Sequence, residues 1–69
     1  MTFGQKIRNR REKLGYTQTE LAKRVHTTQP YVSRRERDCF NPSIKMIKNF
    51  ADALRISTDY LLFDDIEAV

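Results

Sequence analysis

Residues 17–37, TQTELAKRVHTTQPYVSRRER, carry two short helical patterns that are separated by only a few residues. Thr17 and Glu20 have the spacing of a capping box, in which each side chain accepts a hydrogen bond from the backbone N–H of the other residue. Thr28 provides a second N-cap shortly before Pro30, a residue that the first turn of a helix tolerates. The segment therefore predicts two helices that meet across a tight turn.

The two sides of these helices differ in polarity. In the first helix, the apolar positions share one face, formed by Leu21, Ala22 and Val25. In the second helix, a step of about 100° per residue separates a side that holds Tyr31, Val32 and Arg35 from a polar face. That polar face consists of Gln29, Pro30, Ser33, Arg34 and Arg37.

The polar face of the second helix has the chemistry of a nucleic-acid reader. Glutamine can bind both polar atoms on the edge of adenine, and arginine can bind guanine in the same way or a phosphate. We therefore expect this face of the helix to contact base edges and phosphates.

Three further helices are predicted outside this segment. The first runs from about Thr2 to Leu14 and ends at Gly15, which can adopt a left-handed conformation. Its basic residues are expected to face outward, except Arg11, which occupies an inward position. Its expected apolar positions are Phe3, Ile7 and Leu14.

The other two helices begin at serine caps. Ser43 precedes a fourth helix, and Ser57 precedes a short fifth helix that continues to Leu62. The expected inner stripe of the fourth helix is Ile44, Ile47, Phe50, Ala51 and Leu54. These elements predict an all-α domain.

Composition agrees with a small single domain. The chain has 69 residues and one cysteine, so an intrachain disulfide framework is excluded. It shows neither a signal peptide nor a long apolar stretch, and a cytoplasmic protein without membrane contact is expected.

Charge is distributed unevenly along the chain. Residues 1–55 hold all 13 Lys and Arg residues and five acids, a net charge of +8, whereas residues 56–69 hold four acids and no base. A positive helical body favours a polyanionic ligand, because each neutralised phosphate releases counterions. A solvated surface explains this charge equally well.

From about Phe3 to Phe63 the chain resembles the Cro and phage-repressor family of XRE-type regulators. The matching segments, in order, are FGQKIRNRREKLG, TQTELA, SRRE, Asn41-Pro42-Ser43, Ala51 to Leu54, and Ser57 to Leu61. The resemblance implies a compact, five-helix, lambda-repressor-like domain over residues 1–63. Its helix-turn-helix would be formed by helices 2 and 3 at about residues 17–37, and an acidic tail would follow at residues 64–69.

The resemblance also implies a function. The chain is expected to be a sequence-specific regulator of prokaryotic or phage type, a repressor that binds double-stranded DNA as a homodimer on a two-fold operator. The surface expected to form the dimer consists of Tyr60, Leu62, Phe63 and Ile66. A protein-interaction or antitoxin-like module on the same scaffold is one alternative, and RNA binding through Tyr31 and Phe40 is another.

Site residues follow from the same resemblance. The residues implied to contact bases are Gln29, Pro30, Ser33 and Arg34. Gln18 is implied to contact a phosphate and to brace Gln29. Thr28 is a further phosphate candidate because a helix N-terminus favours an anion, and the candidates for flanking phosphate contacts are Arg10, Arg37, Asn41 and Lys45. An ion pair between Arg11 and Glu36 is implied to clamp helix 1 to the reading helix.

The chain departs from the family pattern at several positions. Pro30 replaces a polar reader, and it could also move the helix start so that Gln29 becomes the cap. Arg35 replaces an apolar residue, so its stem is expected to pack while its charged head reaches solvent. Three residues replace customary glycines and would need positive φ angles, namely His26, Asp38 and Arg55.

No catalytic or cofactor chemistry is predicted. His26 lacks other ligands at metal spacing, and Cys39 is expected to be an ordinary loop cysteine. The Asp64-Asp65 pair has no rigid scaffold to hold it as an acid–base site. We therefore expect a protein that is not an enzyme and that has neither metal, cofactor nor small-molecule ligand.

Overall fold

The computed structural model describes residues 1–39 and 42–62, and the secondary structure in these ranges is entirely α-helical. The five helices are α1 (Phe3–Lys13), α2 (Gln18–Arg24), α3 (Gln29–Glu36), α4 (Ile44–Leu54) and α5 (Thr58–Leu62). The predicted all-α, five-helix fold is confirmed. The predictions for Phe40, Asn41, Phe63, Ile66 and the Asp64-Asp65 pair lie outside the described residues.

Side-chain caps fix where the helices begin. Thr17 and Glu20 form the expected capping box, with Glu20 N donating to Thr17 Oγ1 over 3.0 Å and Thr17 N to Glu20 Oε1 over 2.8 Å. Thr2 and Gln5 form a second box at the start of α1. The predicted caps at Thr28, Ser43 and Ser57 are also present. These local hydrogen bonds satisfy backbone N–H groups that the first helical turn leaves without partners.

Left-handed residues end or follow most of the helices. Gly15 has φ 78°, as expected after α1. His26, Asp38 and Arg55 have φ 62°, 56° and 58°, so the expected positive φ angles are all present without glycine. Each such residue carries a steric cost of roughly 1–2 kcal/mol, which the surrounding packing must offset.

The core lies between α4 and the other helices. Its fully buried members include Ile7, Leu21, Val25, Val32, Phe50 and Leu54. Phe50 of α4 is central, because Phe3 meets it edge-on at 6.2 Å between ring centroids and Tyr31 stacks on it at 6.5 Å. These ring contacts join α1 and α3 to α4.

The prediction for Ile44 is wrong. This residue is 75% exposed, although Ile47, one turn further along α4, is 8% exposed. Ile44 is the first residue of α4 after its cap. The apolar stripe in the sequence therefore extends further than the buried face of the helix.

Two basic residues expected to reach solvent are buried. Lys6 is 1% exposed, and its Nζ donates to the backbone oxygen of Tyr60 over 2.6 Å. A cation at the carboxyl end of a helix is favourable, and the lysine stem covers apolar surface. Arg35 is 5% exposed, with its guanidinium 4.4 Å from the centroid of the Tyr31 ring, so its head packs on an aromatic face.

Across residues 1–39 and 42–62, the structure contains no helix with the length and apolar character that a membrane crossing requires.

Candidate nucleic-acid interface

The polar face predicted for α3 is directed to solvent. Gln29, Pro30, Arg34 and Arg37 are exposed, and Ser33 is partly buried. The helix begins at Gln29 with Thr28 as its cap, so the alternative start with Gln29 as the cap is wrong. Pro30 is in the first turn, where its missing N–H costs no intrahelical hydrogen bond.

The first two residues of the proposed interface are linked directly. Gln29 Nε2 donates to Gln18 Oε1 over 2.7 Å, which joins the first residue of α3 to the first residue of α2. This is the brace that the resemblance implied. It holds the Gln29 amide at one position on the outer surface of the helix pair.

Gln18 continues inward to a buried carboxylate. Its Nε2 donates to Glu36 Oε1 over 3.0 Å, and the Glu36 side chain is only 3% exposed. The amide therefore lies between a surface residue and a buried charge. Both of its polar atoms are occupied by hydrogen bonds of known direction.

The expected ion pair between Arg11 and Glu36 is present. Arg11 Nε lies 2.6 Å from Glu36 Oε2, and Arg11 Nη2 lies 3.2 Å from Glu36 Oε1. Arg11 Nη1 also donates to the backbone oxygen of Tyr16 over 2.9 Å. This two-point geometry is the strong form of an arginine–carboxylate pair, and it joins α1 to the last turn of α3.

The sequence interpretation missed a second connection between α1 and α3. Asp38, just beyond α3, accepts the backbone N–H of Gly4 over 2.8 Å and the hydroxyl of Thr2 over 2.6 Å. A Cβ on Gly4 would lie 2.5 Å from the backbone oxygens of Arg35 and Glu36. The start of α1 therefore packs directly on the end of α3. The glycine within an otherwise helical segment was the available sequence signal for this close approach.

The residues predicted to contact phosphates differ in how exposed they are. Thr28, Arg37 and Lys45 are exposed. Arg10 is partly buried, and its Nε donates to the backbone oxygen of Leu54 over 2.8 Å, so this side chain also closes the end of α4. Asn41 lies outside the described residues.

Other chemistry has little support among the residues that the structure describes. Within them, no group of three or more His, Cys, Asp or Glu side chains could hold a metal ion. Cys39 is exposed. Tyr31, one of the two aromatics considered for RNA stacking, has one face on Phe50 and lies beside the guanidinium of Arg35.

Comparison with known proteins identifies the architecture. The model of a helix-turn-helix family matches residues 7–61, which span α2 and α3 and most of the other helices. The chain belongs to this family of Cro and phage-repressor (XRE-type) regulators. The relatives found are DNA-binding transcription regulators rather than enzymes, in agreement with the expectation from the sequence.

Individual members of the family are similar over nearly the whole chain. The transcriptional regulator ImmR of Bacillus subtilis (strain 168) is 34% identical over 65 residues, which are 94% of this chain and 51% of ImmR. The P22 c2 repressor bound to a synthetic operator has a TM-score of 0.86 and 35% identity, covering 90% of this chain and 94% of that one. The regulator SinR in complex with DNA has a TM-score of 0.84 and 33% identity, covering 90% and 100%. The chain spans about half the length of the curated relatives it matches.

Proposed function

We propose that this chain binds double-stranded DNA sequence-specifically, with α3 in the major groove, and that it acts as a transcriptional repressor. The observation that carries the proposal is the outward face of α3, where Gln29 and Arg34 are exposed while Val32 and Glu36 on the same helix are buried. Relatives of similar fold are bound to an operator or to DNA in their own structures.

Base reading is assigned to the amino-terminal part of α3. Gln29 offers an amide that can pair with adenine, and Arg34, slightly more than one turn further along, can pair with guanine. Ser33 provides a hydroxyl, and Pro30 provides an apolar surface for a thymine methyl. In helix-turn-helix complexes the second helix contacts base edges with these first turns, while the first helix crosses the backbone.

Phosphate contacts would set the register of the domain on the duplex. The amino ends of α2 and α3 present backbone N–H groups beside Gln18 and Thr28, and such helix ends favour an anion. Arg37 and Lys45 add exposed positive charge. Arg10 and Asn41 complete the proposed set, which is consistent with the excess of bases over acids in residues 1–55.

We also propose that the domain binds as a homodimer to a two-fold operator. Four base-reading side chains on one helix contact too few base pairs for tight specific binding, and two half-sites about one helical turn apart would double the contacts. Of the proposed dimer surface, Leu62 is 51% exposed and Tyr60 is partly buried. Phe63 and Ile66 lie outside the described residues.

The deciding experiment is selection of bound duplexes from a random pool. Two inverted half-sites with centres about 10 base pairs apart, or a multiple of that, support specific binding by a dimer. A single half-site in the selected duplexes would contradict binding as a dimer. Bound duplexes that share no common sequence would contradict sequence-specific reading. A chain that serves only a protein partner would bind no duplex from the pool above background.

Substitutions then test whether a given side chain contacts a base or a phosphate. Arg34→Ala should weaken binding by about 1–3 kcal/mol and relax the preference at one position of the half-site. Arg8→Ala is the matched control, because it removes one exposed positive charge on α1, outside the proposed interface. An equal loss of affinity for every duplex in Arg34→Ala would make Arg34 a phosphate contact instead.

A further inference from the structure

We infer that Glu36, although buried and remote from the duplex, determines which base Gln29 reads. This inference rests on the proposed function and adds a specificity-determining residue to it. Three linked side chains carry the argument, namely Glu36, Gln18 and Gln29. We call this chain of hydrogen bonds the amide relay.

The direction of the amide relay is fixed at its buried end. An ionised carboxylate only accepts hydrogen bonds, so the atom of Gln18 that lies 3.0 Å from Glu36 Oε1 must be the amide nitrogen. Arg11 holds that carboxylate in place by donating to both of its oxygens, over 2.6 and 3.2 Å. Gln18 therefore has to direct its oxygen towards Gln29.

The outer end of the relay follows from the inner end. The Gln18 oxygen accepts from Gln29 Nε2 over 2.7 Å, which uses one of the two hydrogens on that nitrogen. Gln29 is left with one N–H and its carbonyl oxygen for the groove. A donor beside an acceptor matches N7 and the N6 amino group of adenine, whereas guanine offers two acceptors at N7 and O6.

The substitution Glu36→Gln should reverse the relay. Arg11 only donates, so the oxygen of the new amide is drawn to the site of the shorter contact with Arg11 Nε. Its NH₂ group takes the place of Oε1, where the longer contact of 3.2 Å from Arg11 Nη2 is given up. Gln18 then has to present its oxygen inward and its nitrogen outward, and Gln29 must turn its own oxygen towards Gln18. The NH₂ group of Gln29 would then lie where its oxygen lay, so the donor and the acceptor no longer match the order of N7 and N6 on adenine, and two N–H hydrogens face the groove for the acceptors of guanine.

The test measures the ratio of affinities for duplexes with adenine or guanine at the position that Gln29 reads. That position is the one whose preference disappears in Gln29→Ala, and the wild-type domain should prefer adenine there. Glu36→Gln should shift the adenine-to-guanine ratio at least about tenfold towards guanine, within the discrimination that a two-point base contact supplies. Arg8→Ala should leave the ratio unchanged.

Gln18→Ala provides a second readout that preserves the Arg11–Glu36 pair. It removes the constraint on Gln29 without reversing it, so the adenine preference should fall while no guanine preference appears. Circular dichroism establishes that each variant is folded, and Gln18→Ala decides the matter if Glu36→Gln does not fold.

Two outcomes would overturn the inference: a base other than adenine at the position of Gln29, or wild-type ratios in the folded variants. A wild-type domain that binds all duplexes equally would refute the proposed function itself.

Discussion

Replacement of Arg11 by alanine should strongly destabilise the domain. All three nitrogens of the guanidinium lie within hydrogen-bond distance of Glu36 or the Tyr16 backbone, and the side chains of Arg11 and Glu36 are 12% and 3% exposed. Arg11→Ala would leave a buried carboxylate with Gln18 as its remaining donor among these contacts. Breaking a buried pair in this way costs about 3–5 kcal/mol, because the desolvated charge loses its counterion.

That cost is large for a chain of this size. Typical stabilities of roughly 0.05–0.15 kcal/mol per residue correspond to about 3–10 kcal/mol for 69 residues. Arg11→Ala should therefore leave a domain that is marginally folded at 25 °C. Urea unfolding followed by far-ultraviolet circular dichroism measures the change, since the fold is helical and the chain has no tryptophan.

A matched control lies on the same helix. Arg8 Nε is 3.4 Å from Glu12 Oε2, but the two side chains are 65% and 55% exposed. Arg8→Ala should cost no more than about 0.5 kcal/mol, as is typical of exposed pairs at this spacing. If Arg11→Ala costs no more than this control, the buried pair does not stabilise the fold and the argument from desolvation is wrong.

Two further changes probe the start of α1 and the start of α2. Gly4→Ala places a Cβ 2.5 Å from the backbone oxygens of Arg35 and Glu36. We therefore expect the free energy of unfolding in urea to fall by about 1–3 kcal/mol, despite the better helix propensity of alanine. An unchanged free energy of unfolding would mean that α1 can shift without cost. At the start of α2, the backbone N–H of Thr17 donates to Glu20 and lowers the pKa of that carboxyl below its ordinary value of 4.5, with further contributions from the Thr17 hydroxyl. The stability that ionised Glu20 contributes is therefore complete above pH 4.5 and is lost as the pH falls through the lower folded-state pKa. Glu20→Gln should lose less stability than the wild type over this acid range, and parallel pH profiles would contradict the assignment.

Local features of this chain were predictable because they depend on neighbours in sequence. The caps at Thr17, Thr28 and Ser43 need only a hydroxyl and a backbone N–H three residues later, so the printed order of residues is sufficient to locate them. The positive φ angles of His26, Asp38 and Arg55 were expected from the resemblance, because these residues replace customary glycines of the family pattern. The outward face of α3 followed from the helical period once its start was known.

The errors concern how deeply individual side chains are buried, which the local pattern does not determine. Periodicity places Ile44 on the apolar stripe of α4, yet it cannot show whether another part of the chain covers that position, and Ile44 is exposed. For Lys6, it cannot show that the amine reaches the backbone oxygen of Tyr60 in α5. For Arg35, it places Tyr31 on the same side of α3, yet it cannot show that the guanidinium stays buried on that ring instead of reaching solvent. Burial of a charge depends on partners that only the folded arrangement supplies.

Stability and the proposed recognition of DNA are expected to be joined in this domain, because both depend on how α3 is held. Its last turn is bound to α1 through Arg11 and Glu36, and Asp38, just beyond it, is bound to the start of α1 through Gly4. Its first residue is bound to α2 through the amide relay. Arg34 lies between these attachments and is exposed, so changes at Arg34 should alter binding without altering unfolding. Changes at Glu36 should alter both binding and unfolding. Comparison of variants at Arg34 and Glu36 therefore distinguishes the proposed contact with DNA from the orientation of the helix that makes it.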